Sequence, residues 1–148
     1  MNTAIRMSVL GGLATLAMTS AAQAALQGRD LDGSLATHEA YYDTVLDITW
    51  LADANYAKTS SYDADGAMTW VDANTWAANL SFYNPLTNQT YDDWRLPTVD
   101  PINGSTFNYN VSFNGSTDFG YNITSPQSEM AYMYYVNLGN PSFTTPAG

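Results

Sequence analysis

Tyr91-Asp92-Asp93-Trp94-Arg95-Leu96-Pro97-Thr98 is the run whose reading decides the fold. Successive side chains of an extended segment point to opposite faces, so Trp94 and Leu96 share one face and Arg95 takes the other. Pro97 has no N–H to give to a ladder and ends the pairing. The run therefore predicts a short strand that turns Trp94 into a core. Its cation needs a carboxylate, because an unpaired buried charge is strongly destabilising. Asp47, Asp53, Asp92 and Asp93 are the acids expected to supply one, which gives Arg95 a structural role ahead of a ligand-binding one.

Three segments lie upstream in a fixed order. Val45 to Leu51 contains Val45, Ile48, Thr49 and Trp50, all suited to a pleated surface, and predicts a strand. Asp53-Ala54-Asn55-Tyr56-Ala57 opens a loop that closes at Gly66. Met68 to Leu80 then predicts a helix: Thr69 caps it with Asp72 three residues on, and Trp70, Ala73, Ala77 and Leu80 recur at helical spacing. Trp76 falls at the margin of that stripe.

Together with the Trp94 run, these segments resemble the Lcl C-terminal-like family, a domain of unknown function with an Asp-Trp-Arg-Leu-Pro-Thr motif. The resemblance spans residues 46–139. It implies a C-type-lectin-like α+β domain, two helices packed on a small, mainly antiparallel sheet, with Trp50, Trp70, Trp94, Arg95, Leu96 and Pro97 as the structural motif. Members of the family continue with further aromatic-rich strands, so residues 45–148 are expected to form an incomplete member lacking its C-terminal strands. Residues 25–44 form a lead-in segment.

Beyond the motif, residues 100–124 are poor in charge and rich in Asn, Gly, Ser and aromatics, and the alternation Phe107, Tyr109, Val111, Phe113 predicts a hairpin within a long loop. Ser125-Pro126 starts a second helix that runs to Leu138, with Met130, Tyr134 and Leu138 at four-residue spacing and Gly139 just past its end.

The N-terminus sets the compartment. Arg6 precedes a mostly apolar stretch from Met7 to Met18, and Ala22-Gln23-Ala24 has the form that signal peptidase reads. That stretch is too short to span a bilayer, which takes about 20 apolar residues. Residues 1–24 thus read as a bacterial-type signal peptide, and the mature chain is periplasmic, cell-surface or extracellular. Its 14 acids face only Arg29, Lys58 and Arg95. Nucleic acid and anionic membrane surfaces, which need a basic patch, are poor partners for such a chain.

There is no cysteine, which excludes thiol catalysis, zinc–thiolate sites and disulfides. An exported domain without staples relies on its apolar core, and 14% aromatic content is the material for one. Six Asn-x-Ser/Thr triplets occur, Asn103 and Asn114 among them, and composition accounts for them without glycosylation.

Two loops hint at calcium. Asp63-Ala64-Asp65-Gly66 is half of an EF-hand-type loop with Asp72 at its closing position, which makes Asp63, Asp65 and Asp72 candidate ligands. Asp30-Leu31-Asp32-Gly33 with Glu39 repeats the pattern as imperfectly. Ordinary Asp–Gly turn chemistry explains both and leaves the domain with no cofactor of its own. His38 is the only histidine and stands outside the recognisable region, so no Ser-His-Asp set is apparent.

These features point to a non-enzymatic adhesion or binding domain for a glycan or extracellular matrix polymer, with Tyr41, Tyr62, Tyr83 and Tyr121 as surface candidates. A glycan-active enzyme using paired carboxylates and a structural exopolymer component are the rival readings. Cleavage after Ala24 is directly checkable: mass spectrometry of protein secreted by a bacterial host should give Ala25 as the N-terminus, and retention of Met1 would defeat the leader reading.

Overall fold

A computed structural model describes residues 26–143. The leader read over residues 1–24 lies outside them.

Leu26–Arg29 (β1), Ala40–Asp43 (β2) and Ile48–Leu51 (β3) form an antiparallel sheet in that order. Tyr41 lies opposite Trp50, and Asp43 opposite Ile48. The segment read as a lead-in thus contributes two of the three strands. The third begins at Ile48 rather than Val45, because residues 44–47 make the hairpin turn. The Asp43 carboxylate accepts the N–H groups of Val45 and Leu46 at 2.9 and 3.0 Å, and Asp47 has a φ of 55°. Asp43 is fully buried, and its second oxygen accepts from Asn137 Nδ2 at 2.6 Å. One side chain therefore shapes a turn and ties the sheet to the C-terminal helix.

After the short helix α1 (Tyr56–Thr59), α2 spans Trp70–Asn79. Its cap matches expectation: the Asp72 N–H donates to Thr69 Oγ1 at 3.2 Å, and the Thr69 hydroxyl donates to the Asp72 carboxylate at 2.7 Å. Its apolar stripe does not. Ala77 is the helix's buried residue, while Trp70 is 75% exposed. A first-turn side chain leans back toward the helix N-terminus, and here that end adjoins an exposed loop. Trp76 instead approaches the Tyr62 ring, with centroids 6.4 Å apart.

Phe82–Asn84 (β4) and Gln89–Tyr91 (β5) pair as a hairpin. Asn84 is buried; its side-chain Oδ1 accepts from Leu86 N and Thr87 N, and its Nδ2 donates to the Asp30 carbonyl at 3.1 Å. The Trp94 run follows β5 and is not a strand: residues 92–98 join no ladder, and the first bridge beyond them pairs Val99 with Ser128. Trp94 is half-buried, with its indole N–H donating to the Tyr91 carbonyl at 3.0 Å and its ring meeting Phe82 edge-on. Leu96 and Pro97 are half-buried beside it, and Trp50 is half-buried on β3.

Side chains hold this run in place of a ladder. Arg95 donates to both oxygens of Glu129, at 2.8 and 2.7 Å, and the Thr98 N–H reaches the same carboxylate at 2.7 Å. The partner is thus none of the four expected aspartates. Glu129 opens α3 (Glu129–Tyr132), which continues as a π-helical turn over Met133–Asn137, with Gly139 in the left-handed conformation just beyond. Met130, Tyr134 and Leu138 form an exposed stripe rather than a packed one. The inward face carries Glu129, Tyr132 and the Asn137 amide; Tyr132 is buried there, and Glu129 and Asn137 have partners elsewhere in the chain.

Val111–Ser112 (β6) and Phe119–Gly120 (β7) pair in parallel, so the expected hairpin is absent. The class is α+β, small sheets with short helices. Among the described residues the buried apolar side chains are Leu31, Ala40, Ala57, Ala77, Ile123 and Tyr132, half of them alanine, which leaves much of the cohesion to polar ties. No helix among these residues is long and apolar enough to cross a membrane.

The Arg95 guanidinium beside Glu129 holds that carboxyl below its ordinary value, with the Thr98 N–H adding to the effect. Glu129→Gln should cost about 1–2 kcal/mol at neutral pH, toward the low end because Arg95 is half exposed. A depressed carboxyl contributes stability above its unfolded pKa and loses it as pH falls through the folded one. Thermal melts of the parent and variant should therefore converge in acid and stay apart at neutral pH. A constant gap would overturn the pairing.

Candidate functional site

Two features stand out on the surface. The first is an acidic corner where β1 and β2 meet. Asp30 Oδ1 accepts from the N–H groups of Asp32 and Gly33, Asp32 Oδ1 from Ser34 N, and Glu39 from the Thr37 hydroxyl and Leu31 N. These turn contacts bring carboxylate oxygens of Asp30, Asp32 and Glu39 within 4.8 Å of one another, a group able to hold a metal ion. Beside it lies a cavity of about 440 Å³ whose lining includes Asp32, His38, Glu39, Asp53, Tyr56 and Phe82. The Thr37 hydroxyl, chiefly, keeps the Glu39 carboxyl below its usual value, and the Thr59 hydroxyl with the Asn55 N–H does the same for Asp53. Both are anionic at neutral pH, so the cavity is negative with an aromatic wall.

Asp63, Asp65 and Asp72 do not converge. Asp63 Oδ1 takes the N–H groups of Asp65 and Gly66, Asp65 Oδ1 takes Ala67 N, and Asp72 is engaged with Thr69. The loop spends its carboxylates on its own backbone and forms no three-carboxylate group. Of the two calcium patterns in the sequence, the structure gathers the one at Asp30, Asp32 and Glu39.

The second feature is an aromatic surface on the loop from Phe107 to Tyr121. Phe107 stacks on Tyr109 with rings 5.5 Å apart and 17° from parallel, and Phe113 stacks on Tyr121 at 5.7 Å and 9°. Tyr109 is 71% exposed and Phe119 56%. Exposed rings need a stiff support, and Asp118 is its centre. Its two oxygens accept from Ile102 N and Asn108 N at 2.7 Å each, and these N–H groups hold its carboxyl below the ordinary range. The Thr117 hydroxyl contacts the carbonyls of Asn110 and Phe119, and Asn122 Nδ2 donates to the Phe113 carbonyl at 2.7 Å. Asp118 is the one acid between residues 101 and 124, so the surface carries a single negative charge, and both of its oxygens are engaged by backbone N–H groups.

Tyr121, expected at the surface, is half-buried under its stack with Phe113, and sequence reasoning missed Tyr109 and Phe119 as surface groups, although the low charge and glycine spacing of the loop were visible signals. Tyr41, Tyr62 and Tyr83 are exposed as expected, but they are scattered over separate elements. The chain matches no family model, no curated protein and no solved structure.

The dependence of the loop on Asp118 is testable by amide hydrogen exchange. Asp118→Ala should strip protection from Ile102 and Asn108 while leaving the β1-β2-β3 sheet unchanged. Because the carboxyl is depressed, the parent protein should keep that protection down to mildly acidic pH and lose it only as Asp118 protonates. Unchanged exchange in the variant would contradict the hub assignment.

Proposed function

We propose that the chain is an exported, non-enzymatic binding module of C-type-lectin-like type, akin to the Lcl C-terminal-like family, that holds a neutral glycan or matrix polymer on the Phe107–Tyr121 surface. The observation that carries this reading is the set of exposed rings Phe107, Tyr109, Phe113 and Phe119, with Phe107 stacked on Tyr109 and Phe113 on the half-buried Tyr121, on a loop whose backbone is pinned by Asp118, Thr117 and Asn122. Aromatic faces pack on the apolar faces of sugar rings, and neighbouring amides and hydroxyls bond their oxygens. Net charge selects among glycans: a formal charge of −10 repels sulfated and uronic acid polymers and leaves neutral ones. The same balance disfavours nucleic acid.

One observation favours the enzymatic alternative, since Glu39, Asp53 and Asp32 line a single cavity with Tyr56 and Phe82. A glycosidase needs one carboxyl raised so that it can act as general acid. Glu39 and Asp53 are instead both held below their usual values, which supports binding over hydrolysis.

Calcium belongs with the acidic corner in this reading, at Asp30, Asp32 and Glu39. Much of its acceptor capacity already serves backbone N–H groups, so the affinity expected is that of weak extracellular modules, about 10⁻⁴–10⁻³ M. Calorimetry should show heat on millimolar calcium addition, and Glu39→Gln should lose it. A silent titration removes calcium from the proposal and leaves the aromatic surface untouched.

The glycan reading is tested by titrating the protein with neutral gluco- and chito-oligosaccharides and with a sulfated glycosaminoglycan. Neutral chains should bind, and Tyr109→Ala or Phe119→Ala should weaken them by about tenfold, or roughly 1.4 kcal/mol each. Preference for the sulfated polymer, or indifference to both substitutions, would sink it.

A further inference from the structure

We infer that Asn114 is a site of spontaneous covalent modification in the folded protein, converting to an aspartyl or isoaspartyl residue through a cyclic imide formed with Gly115. The sequence carries two identical tetrapeptides, Asn103-Gly104-Ser105-Thr106 and Asn114-Gly115-Ser116-Thr117. Asn–Gly is the dipeptide most prone to this reaction, because glycine puts no side chain in the way of its own nitrogen. Local sequence predicts equal reactivity at the two positions, and the fold separates them.

In the reaction the Gly115 amide nitrogen gives up its proton and attacks Cγ of Asn114. A carbon–nitrogen bond forms, and the side-chain amide leaves as ammonia. Water then opens the five-membered imide at either carbonyl, giving the aspartyl or the isoaspartyl product. The balance is one water consumed and one ammonia released, with no oxidant or reductant. The attacking nitrogen must be free to lose its proton and swing toward the side chain, and a good hydrogen bond from that N–H opposes both steps.

Gly104 is held in that way. Its N–H donates to the Pro101 carbonyl at 2.8 Å, while Asn103 Oδ1 is occupied by Ser105 and Thr106. The two Asp–Gly pairs, which react by the analogous loss of water, are guarded as well: Gly33 N–H donates to Asp30 Oδ1 at 2.7 Å and Gly66 N–H to Asp63 Oδ1 at 2.8 Å. Gly115 differs, because among the described residues its N–H has no hydrogen-bond partner. Asn114 is exposed, its side-chain Oδ1 accepts only Ser116 N at 3.2 Å, and its Nδ2, the leaving group, is unbonded within the described residues.

The product bears on the loop around it. Asn114 adjoins Phe113, whose ring stacks on Tyr121, and a Cβ on Gly115 would come within 2.1 Å of the Asn122 carbonyl. An isoaspartyl link adds a methylene to the main chain where it runs close to the Asn122 backbone, and either product adds a second negative charge to a surface whose one acid is Asp118.

Folded full-length protein should be aged at mildly alkaline pH beside a sample held in denaturant, and both mapped by mass spectrometry with fragmentation that separates isoaspartate from aspartate. Conversion at Asn114 should run several-fold ahead of Asn103 in the folded sample and about level with it in denaturant. Asn114→Gln should remove the main acidic isoform that ion exchange resolves on ageing. Equal rates at the two asparagines in the folded protein, earlier conversion at Asp32, Asp65 or Asn103, or persistence of the acidic isoform in Asn114→Gln would each overturn the inference. None of these readouts depends on whether the loop binds a glycan.

Discussion

The carboxylate of Glu129 is the group on which the placement of the second half of the chain depends. It accepts three charge-assisted or backbone hydrogen bonds, two from Arg95 and one from Thr98 N, and so pins an unpaired extended run against the first turn of α3. Without it neither side has a ladder to fall back on, since a single bridge between Val99 and Ser128 is the only backbone pairing there. Asp43 plays the matching part in the first half. Its two oxygens serve the β2–β3 turn and Asn137, so the C-terminal helix is gripped at both ends by carboxylate chemistry. A core half made of alanine gives such ties more weight than they carry in a domain with a large apolar interior.

What the sequence made legible was local. The Thr69–Asp72 cap, Gly139 beyond the last helix and the turn character of Asp63-Ala64-Asp65-Gly66 all depend on residues within four positions of one another, where chain geometry leaves few choices. The partner of Arg95 was not legible, because Glu129 lies 34 residues away and nearer aspartates competed for the assignment. Trp70 misled for a related reason: helical spacing tells which residues share a face, not whether anything covers that face. The parallel pairing of β6 with β7 was hidden as well, since alternation cannot distinguish a hairpin from two short strands drawn together by Asp118 and Thr117.

The candidate sites follow the same division. Both acidic loops show the same spacing of Asp and Gly, yet only one gathers carboxylates, because Glu39 is carried back to Asp30 and Asp32 by the β1–β2 pairing while Asp72 is drawn off to cap α2. The aromatic loop owes its exposure to a shortage of partners: its rings stack on each other, and Asp118 supplies the rigidity that burial would otherwise provide.

The reach of the Asp43–Asn137 contact has a consequence for how the chain comes together in time. Ninety-four residues separate the two groups, and closing so long a loop carries an entropic cost that local structure must meet in advance. A polypeptide that emerges N-terminus first can pair β1, β2 and β3 at once, but the buried oxygen of Asp43 stays wet until the last helix arrives. The β2–β3 turn can thus form its own hydrogen bonds from neighbouring residues alone, whereas the second oxygen of Asp43 exchanges water for an amide only once a segment 94 residues away has been brought to it.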